Sequence, residues 1–341
     1  MSAESLTPFL GNKPAQFLLN ESLRRHTFHH AYIFAGKEGL GKKRLALQVA
    51  KSLNCLDPDA FPGPCERCQS CRKVDARSHP DVRVIEPETK VFKIDQVRAV
   101  IQDIYYLPFE GRHRVFILED ADRMNDEAAN SLLKTLEEPP EKSMLILLTS
   151  NLYILLPTIR SRAQIVKFQP IPAREIEEYL VSVRGIAPAA AAKAAQLSQG
   201  SLGLALSLDL ETLDAMQKSA FALLELMVHD DDFALLQHLG TLFAGSKTQD
   251  KNLDLFLQIL ISILRDLVII SLFQSREHLM YQDQIDRLRS LKLSFHPGLV
   301  EQFLRDIEDF YRKRHLNLKV DIYFQNIVLR TRKQILENQK R

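Results

Sequence analysis

Short apolar runs alternate with helical patterns in the first half of the chain. Between the runs, apolar residues recur at helical spacing over 94–104 and 129–136. Strands that alternate with helices predict a parallel sheet with crossover helices, and we therefore expect an α/β domain over residues 1–170. The apolar runs typical of buried strands are 31–35 (AYIFA), 82–85 (VRVI), 115–118 (VFIL), 145–148 (LILL) and 165–168 (IVKF).

Only helical spacing continues after residue 170. An Ala-rich stretch that ends at Gly200 predicts a small helical domain over 171–208. Residues 209–341 predict five or six packed helices. The most apolar stretch, 255–273, carries Arg265 and Asp266 near its middle, which favours a buried helix over a membrane span. Helix breaks are predicted near His229, Gly245, Pro297 and Asn317.

Composition and charge narrow the class of protein. The 341 residues contain 45 Lys plus Arg against 43 Asp plus Glu, which gives a net charge of +2, and 45% hydrophobic residues is typical of a globular protein. Any attraction to nucleic acid must therefore be local, and basic residues do outnumber acidic ones in the last part of the chain. No secretory signal is evident near the N-terminus, so we expect a cytoplasmic location.

A glycine-rich segment, GKEGLGKK, follows the first predicted strand. Gly36, Gly41 and Lys42 match the phosphate-binding pattern G-x-x-x-x-G-K, and Gly39 adds a further flexible position. In such loops backbone N–H groups cradle phosphate and the lysine reaches the outer phosphates. The Ser or Thr that should hold magnesium is replaced by Lys43, whose ammonium has no lone pair for a metal. The segment therefore indicates a P-loop fold more strongly than hydrolysis, and a loop without bound nucleotide is an open alternative.

Two carboxylates follow the third predicted strand. P-loop ATPases usually place a magnesium-binding Asp here, followed in many families by a Glu that polarises water, but in this chain Glu119 precedes Asp120. The reversed order changes the reach of each carboxylate by one methylene, and catalysis depends on close positioning. Magnesium binding stays open, whereas hydrolysis by this pair is not expected.

All four cysteines, Cys55, Cys65, Cys68 and Cys71, lie in one short segment. Four thiolates at this density predict a closed tetrahedral zinc site that stabilises the fold, in a module at about 54–75. An iron–sulfur cluster is an alternative, but the Cys-Pro expected after C-x-x-C-x-x-C is missing, because Asp75 stands there. Unligated thiols are the other alternative.

Two further segments complete a set of motifs. LLKTLEEPP spans 132–140, and TIRSR spans 158–162 just before the fifth predicted strand. Together with HAYIFAGKEGLGK at 30–42 and the four-cysteine insert, these motifs resemble the bacterial clamp-loader subunits of DNA polymerase III. The resemblance implies an AAA+ ATPase domain, a small helical lid and a helical collar through which subunits form a ring, placed here at 1–170, 171–208 and 209–341.

The departures from the family pattern favour one branch of the family. The gamma/tau type is the ATP-hydrolysing motor, and the delta-prime type is its non-hydrolysing neighbour. A motor is expected to keep Ser or Thr at position 43, Asp-Glu at 119 and 120, and an arginine in the lid motif Gly-Ser-Leu-Arg, whereas this chain has Lys43, the reversed acids and Gly203. The resemblance therefore implies the delta-prime type and argues against ATP with Mg²⁺ as working cofactors; a gamma/tau-type motor is the alternative.

The family's Ser-Arg-Cys motif supplies an arginine finger to the ATP site of the adjacent subunit. Arg162 matches that arginine, with Ala163 in place of the cysteine. A guanidinium is always charged, so this role survives the loss of the subunit's own hydrolysis. A surface ion pair is the other role open to Arg162.

The resemblance also implies partners. These are the gamma/tau and delta subunits, with the sliding clamp and primed DNA reached through the complex, and no membrane. No catalysis of its own is expected beyond membership in the polymerase holoenzyme. A zinc-containing DNA-binding protein on a P-loop fold is the second alternative.

Overall fold

A computed structural model describes residues 10–89, 91–229, 231–243, 249–273, 279–313 and 320–339. The chain divides into two compact units, with the boundary between Ser207 and Leu208. The first unit is α/β and the second is all-α, which confirms the predicted fold class. The finer division into three domains with boundaries at 170 and 208 stays a prediction.

A five-stranded sheet forms the centre of the first unit, and every strand pair in it is parallel. The spatial order is β2-β3-β4-β1-β5, so the first strand lies between the fourth and the fifth. All five predicted strands are present, and several extend into flanking polar residues because backbone pairing does not require apolar side chains. The strands are β1 Ala31–Ala35, β2 Val82–Ile85, β3 Arg114–Leu118, β4 Ser143–Thr149 and β5 Gln164–Lys167.

Alternating side chains of each strand enter two separate apolar cores. Tyr32 and Phe34 of β1 pack in one core with the helices at 13–24 and 42–54, while Ile33 packs in the other with the four helices between 94 and 160. Both faces of the central strands are therefore buried, which explains their nearly continuous apolar sequence. The helices of this unit are α1 Lys13–Arg24, α2 Lys42–Asn54, α3 Gln69–Asp75, α4 Ile94–Ile104, α5 Asp126–Ser131, α6 Leu133–Glu137, α7 Pro157–Arg160, α8 Ala173–Arg184, α9 Pro188–Leu197 and α10 Leu202–Ser207.

The LLKTLEEPP segment differs from the single helix predicted for it. The helix is interrupted at Leu132, where the N–H donates to the carbonyl of Ala129 at 3.2 Å and tightens the turn. Its start is capped by Asn125, whose side chain accepts from the N–H of Ala128 at 2.9 Å. The second of the two helices, α6, ends at Glu137, two residues before Pro139.

The second unit contains six α-helices among its described residues. Breaks are present after Val228 and before Pro297, as predicted, whereas the breaks predicted near Gly245 and Asn317 lie outside the described residues. The window Leu255–Leu272 is long and apolar enough to cross a membrane by length and composition, but 61% of it is buried within the protein, as in a core helix. The helices are α11 Leu210–Val228, α12 Asp232–Phe243, α13 Gln249–Leu272, α14 Ile285–Lys292, α15 Pro297–Lys313 and α16 Val320–Gln339.

Candidate functional site

The glycine-rich segment forms a loop between β1 and α2. Gly39 and Gly41 have φ angles of 74° and 86°, in the left-handed region that favours glycine. Gly41 directly precedes α2, so the loop turns into the N-terminus of a helix. This is the strand–loop–helix context that a phosphate-binding loop requires.

Lys42 and Lys43, the first two residues of α2, have different partners. The ammonium of Lys42 donates to the carbonyl oxygens of its own loop, those of Gly36 and, at 2.8 Å, Lys37. Burial lowers the pKa of Lys42 below its ordinary value. The ammonium of Lys43 instead forms ion pairs with the carboxylate of Glu119 and, at 3.0 Å, with that of Glu86.

Three carboxylates follow neighbouring strands at one edge of the sheet. Glu86 follows β2, and Glu119 and Asp120 follow β3. Burial raises the pKa of Glu119 although Lys43 opposes the shift, whereas Lys43 lowers the pKa of Glu86. The ammonium of Lys43 thus lies between two carboxylates at the edge where a P-loop ATPase holds its metal ion.

Glu86 was missed in the sequence analysis. It is the first residue after β2, the strand that pairs with β3 in parallel, so its position next to Glu119 follows from the strand order. The order of strands in a sheet is not visible in local patterns. The available signal was an acid directly after a predicted strand.

The start of α10, which belongs to the predicted lid, packs directly on the glycine-rich loop. The N–H of Gly203 donates to the carbonyl of Gly39 at 3.0 Å. A Cβ added to Gly203 would lie 2.9 Å from the Cα of Gly39, and one added to Gly39 would lie 2.0 Å from the hydroxyl oxygen of Ser201. The two glycines are therefore required for this close contact, and no side chain fits at position 203 without moving the lid.

A cavity of about 1240 Å³ opens between the loop, the end of β3 and the helices α8 and α10. Gly39, Gly41, Lys42, Glu119 and Asp120 line its polar side, so the structure brings most of the predicted phosphate-site residues together. Its apolar side is lined by Ile171, Tyr179, Val183, Leu202 and Leu206. Such a mixture of an apolar wall and a few convergent polar groups is typical of a ligand site.

The four cysteines form one cluster at the end of α2. Their Sγ atoms all lie within 4.8 Å of one another, and those of Cys55 and Cys68 are 4.0 Å apart. A zinc ion with Zn–S bonds of ~2.3 Å requires sulfur atoms about 3.8 Å apart in a tetrahedron, so the arrangement fits a tetrahedral metal site after a slight contraction. All four cysteines are free of disulfide bonds. The cluster can therefore hold a metal ion.

Backbone N–H groups point at the sulfur atoms. The N–H of Cys68 lies 3.2 Å from the sulfur of Cys65, and the N–H of Cys71 lies 3.4 Å from that of Cys68. Burial acts to raise the pKa of Cys68, but the N–H donors of Cys71 and Leu56, together with the Cys71 and Cys65 side chains, outweigh it and lower the pKa to about 6. Burial raises the pKa values of Cys55 and Cys71.

Lys51, in the last turn of α2, connects this helix to the cysteine segment. Its side chain is only 7% exposed, and its ammonium lies 2.5 Å from the carboxylate of Glu66 and 2.6 Å from that of Asp75. Burial acts to lower the pKa of Lys51, but the hydrogen bonds to Asp75 and Glu66 outweigh it and raise the pKa above its ordinary value. All three residues also line the cavity, so the cysteine segment forms part of its wall.

Arg162 lies between α7 and β5, outside both the cavity lining and the cysteine cluster. Its guanidinium forms an ion pair with Glu137 at 2.7 Å and donates to the carbonyl of Thr158 at 3.0 Å. The side chain is 36% exposed, so part of the guanidinium faces solvent. Glu137 belongs to the LLKTLEEPP segment, and the two motifs are therefore adjacent in the fold.

The family model and the sequence relatives found for this chain are subunits of DNA polymerase III. The family model described as DNA polymerase III, delta subunit, matches residues 11–172. DNA polymerase III subunit delta' of Bacillus subtilis is 30% identical over 318 residues, which is 92% of this chain and 93% of that protein. The delta' subunit of Pseudomonas aeruginosa is 42% identical over 135 residues, or 39% of this chain and 41% of that protein.

Similarity extends to a tau subunit and to a solved structure. The tau subunit of Escherichia coli is 30% identical over 210 residues, which is 60% of this chain but 32% of that protein. The crystal structure of a gamma subunit-related protein from Thermotoga maritima aligns with a TM-score of 0.46 and 21% identity, over 93% of this chain and 99% of that chain. The Bacillus match spans nearly the full length of both proteins, and this chain belongs to the delta-prime subunit family of bacterial DNA polymerase III.

Proposed function

We propose that this chain acts in a clamp loader as a non-hydrolysing AAA+ subunit that lends Arg162 to the ATP site of a neighbouring subunit. Such a complex places a sliding clamp on primed DNA during replication. Family membership supports the clamp-loader role. The pairing of Lys43 with Glu119 carries the non-hydrolysing part of the proposal.

Metal-assisted hydrolysis requires a magnesium ligand at position 43 and a free carboxylate at the end of β3, and the pairing of Lys43 with Glu119 removes both. The residue that should hold magnesium is a lysine without a free lone pair, and the strand-end carboxylate is already compensated by that lysine. The third departure, Gly203, is fixed by its contact with Gly39, so an arginine could not replace it without moving the lid. Three positions of the ATPase machinery thus depart from the motor pattern.

ATP hydrolysis by the isolated chain distinguishes this proposal from the gamma/tau-type alternative. We expect no Mg²⁺-dependent turnover above that of a Lys42→Ala variant, which removes the lysine of the loop. Typical enzymes turn over at about 1 s⁻¹ or faster, and we set the threshold about tenfold lower. A steady rate above about 0.1 s⁻¹ that disappears in Lys42→Ala would establish a motor subunit.

The role proposed for Arg162 depends on the chemistry of its side chain. A planar guanidinium can donate two parallel hydrogen bonds to a phosphoryl group and stabilise the charge that develops during transfer. The ion pair with Glu137 is half exposed, and such pairs contribute only about 0–1 kcal/mol, so a neighbour's phosphate can displace it.

The cysteine cluster is proposed to hold a structural zinc ion through Cys55, Cys65, Cys68 and Cys71. Four thiolates close the coordination sphere, so the ion would stabilise the fold and would not take part in chemistry. Metal analysis of protein purified without added metal should find close to one zinc per chain. Visible absorbance with bound iron would show an iron–sulfur cluster instead.

The proposed partners are the gamma/tau and delta subunits, in the cytoplasm, with the clamp and primed DNA reached through the complex. The alternative of direct DNA binding was motivated partly by basic residues near the C-terminus. Of these, Arg330 is paired with Asp306 at 2.9 Å and Arg332 donates to the carbonyl of His229 at 2.8 Å, while Arg314, Lys319, Lys340 and Arg341 lie outside the described residues. Tight, salt-sensitive DNA binding by the isolated chain would support that alternative.

A further inference from the structure

Lys51 contacts the cysteine segment at two places, the turn at 65–68 and the helix α3. Together these carry three of the four cysteines. Glu66 lies in the turn between Cys65 and Cys68, and Asp75 is the last residue of α3, the helix that Cys68 caps and that contains Cys71. Lys51 itself is four residues before Cys55, which follows α2 directly. The ammonium of Lys51 therefore connects α2, which ends just before Cys55, to the turn at 65–68 and to α3. That turn and α3 carry the other three cysteines.

The turn that holds Glu66 is strained. Its φ angle is 59°, a left-handed conformation that is uncommon for residues other than glycine and costs about 1 kcal/mol or more. This conformation belongs to the turn in which the N–H of Cys68 reaches the sulfur of Cys65. The contact with Lys51 fixes the Glu66 side chain and so opposes relaxation of the turn.

Burial separates this contact from the ion pairs on the protein surface. The Lys51 side chain is 7% exposed, although those of Glu66 and Asp75 are 33% and 55% exposed, whereas both partners of the Lys93–Glu88 pair are more than half exposed. Exposed pairs contribute little because water competes for both partners. A buried ammonium with two carboxylate partners is costly to leave unpaired, and it therefore holds those partners in place.

We propose that Lys51 is a positioning residue for the metal site, fastening the turn and α3 to the phosphate-loop helix so that the four sulfur atoms stay at ligand distance. This inference rests on the proposed zinc site. In metal centres, groups that orient the ligands typically change metal affinity by 10–100-fold when they are removed.

Zinc affinity of the full-length chain, measured by competition with a chromophoric chelator, tests this role. We expect Lys51→Met to weaken zinc binding by roughly 10–100-fold. Lys93→Met removes an exposed lysine of a Lys–Glu pair and should leave the affinity unchanged. A folded Lys51→Met chain that binds zinc within twofold of wild type would overturn the proposal.

Asp75→Asn separates positioning from simple charge compensation and is a milder variant should Lys51→Met fail to fold. Zinc binding displaces the thiol protons and leaves four thiolates around one Zn²⁺, a site of net charge −2, so removing a nearby negative charge should strengthen zinc binding if only charge matters. If Asp75 positions α3 through Lys51, the same change should weaken zinc binding, and stronger or unchanged binding would contradict the proposal. A wild-type chain that binds no zinc would instead refute the proposed metal site on which this role depends.

Discussion

Lys43 is the clearest departure of this chain from the P-loop pattern of ATP-hydrolysing proteins. Its ammonium compensates two carboxylates, Glu86 and Glu119, that would otherwise face each other at the strand ends. Without this ammonium, the two carboxylates should repel each other and should favour binding of another cation. The sequence shows the substitution, but the partners of Lys43 come from two strands that only the folded sheet brings together.

Lys43→Thr should lower the free energy of unfolding by about 1–3 kcal/mol. This range lies between the costs of breaking an exposed and a buried ion pair, because the Lys43–Glu119 pair is only partly exposed. Millimolar Mg²⁺ should restore part of that loss in the variant, because the two carboxylates are then free to bind a divalent cation. Urea unfolding with and without Mg²⁺ measures both effects. Lys93→Thr is the control, and an equal Mg²⁺ effect in wild type would argue against this account.

Arg162 shows what residue patterns leave out. Its position was found from the TIRSR segment, but its contact with Glu137 was not, because the two residues are far apart in sequence and belong to different motifs. Ion pairs of this kind depend on how elements pack, and periodicity carries no information about them.

The strand elements were predictable because their signal is local. Buried central strands need apolar side chains on both faces, and the sequence of β1 satisfies this at every position. The helix of the LLKTLEEPP segment was predicted less well. Its apolar spacing is continuous, but the backbone tightens at Leu132, and side-chain pattern does not report such a change.

The loop before β3 is an element held by one buried carboxylate. Asp81 is 1% exposed and accepts the N–H groups of Phe109, Glu110 and Gly111 at 2.7–2.8 Å. Burial acts to raise the pKa of Asp81, but these three donors outweigh it and lower the pKa below its ordinary value. Its ionised form is therefore the form that stabilises the loop.

Asp81→Asn should lower the free energy of unfolding by about 2–4 kcal/mol at neutral pH, because an amide cannot accept all three N–H groups. Since the pKa is lowered in the folded state, the stabilisation is complete above the ordinary aspartate pKa of about 4 and is lost only as pH falls toward the folded-state value. Urea unfolding should thus show a constant difference from wild type between pH 7 and 8, above the range in which the neighbouring His79, whose pKa burial lowers, changes its charge. A difference that changes steeply within this range would contradict the assignment.

At the scale of the whole molecule, the order of motifs along the chain was sufficient to predict the fold class and the family. The fold class follows from strands that alternate with helices before residue 170 and from helices alone after it. The roles of single residues were harder to predict, because they depend on distances of a few ångströms across the fold. Lys51 is an example, since its contacts with Glu66 and Asp75 are invisible without the structure.

We expect this subunit to contribute to ATP hydrolysis at a neighbouring site without hydrolysing ATP itself. The most direct test is the DNA-stimulated ATPase rate of a complex reconstituted with gamma/tau and delta subunits, clamp and primed DNA, comparing wild type with Arg162→Ala. We expect the adjoining site to lose about 1000-fold in rate, so that the total rate falls by that site's share. Arg174→Ala, which removes an exposed arginine paired with Glu178, should leave the rate unchanged. An unchanged rate with Arg162→Ala in an intact complex would contradict the account.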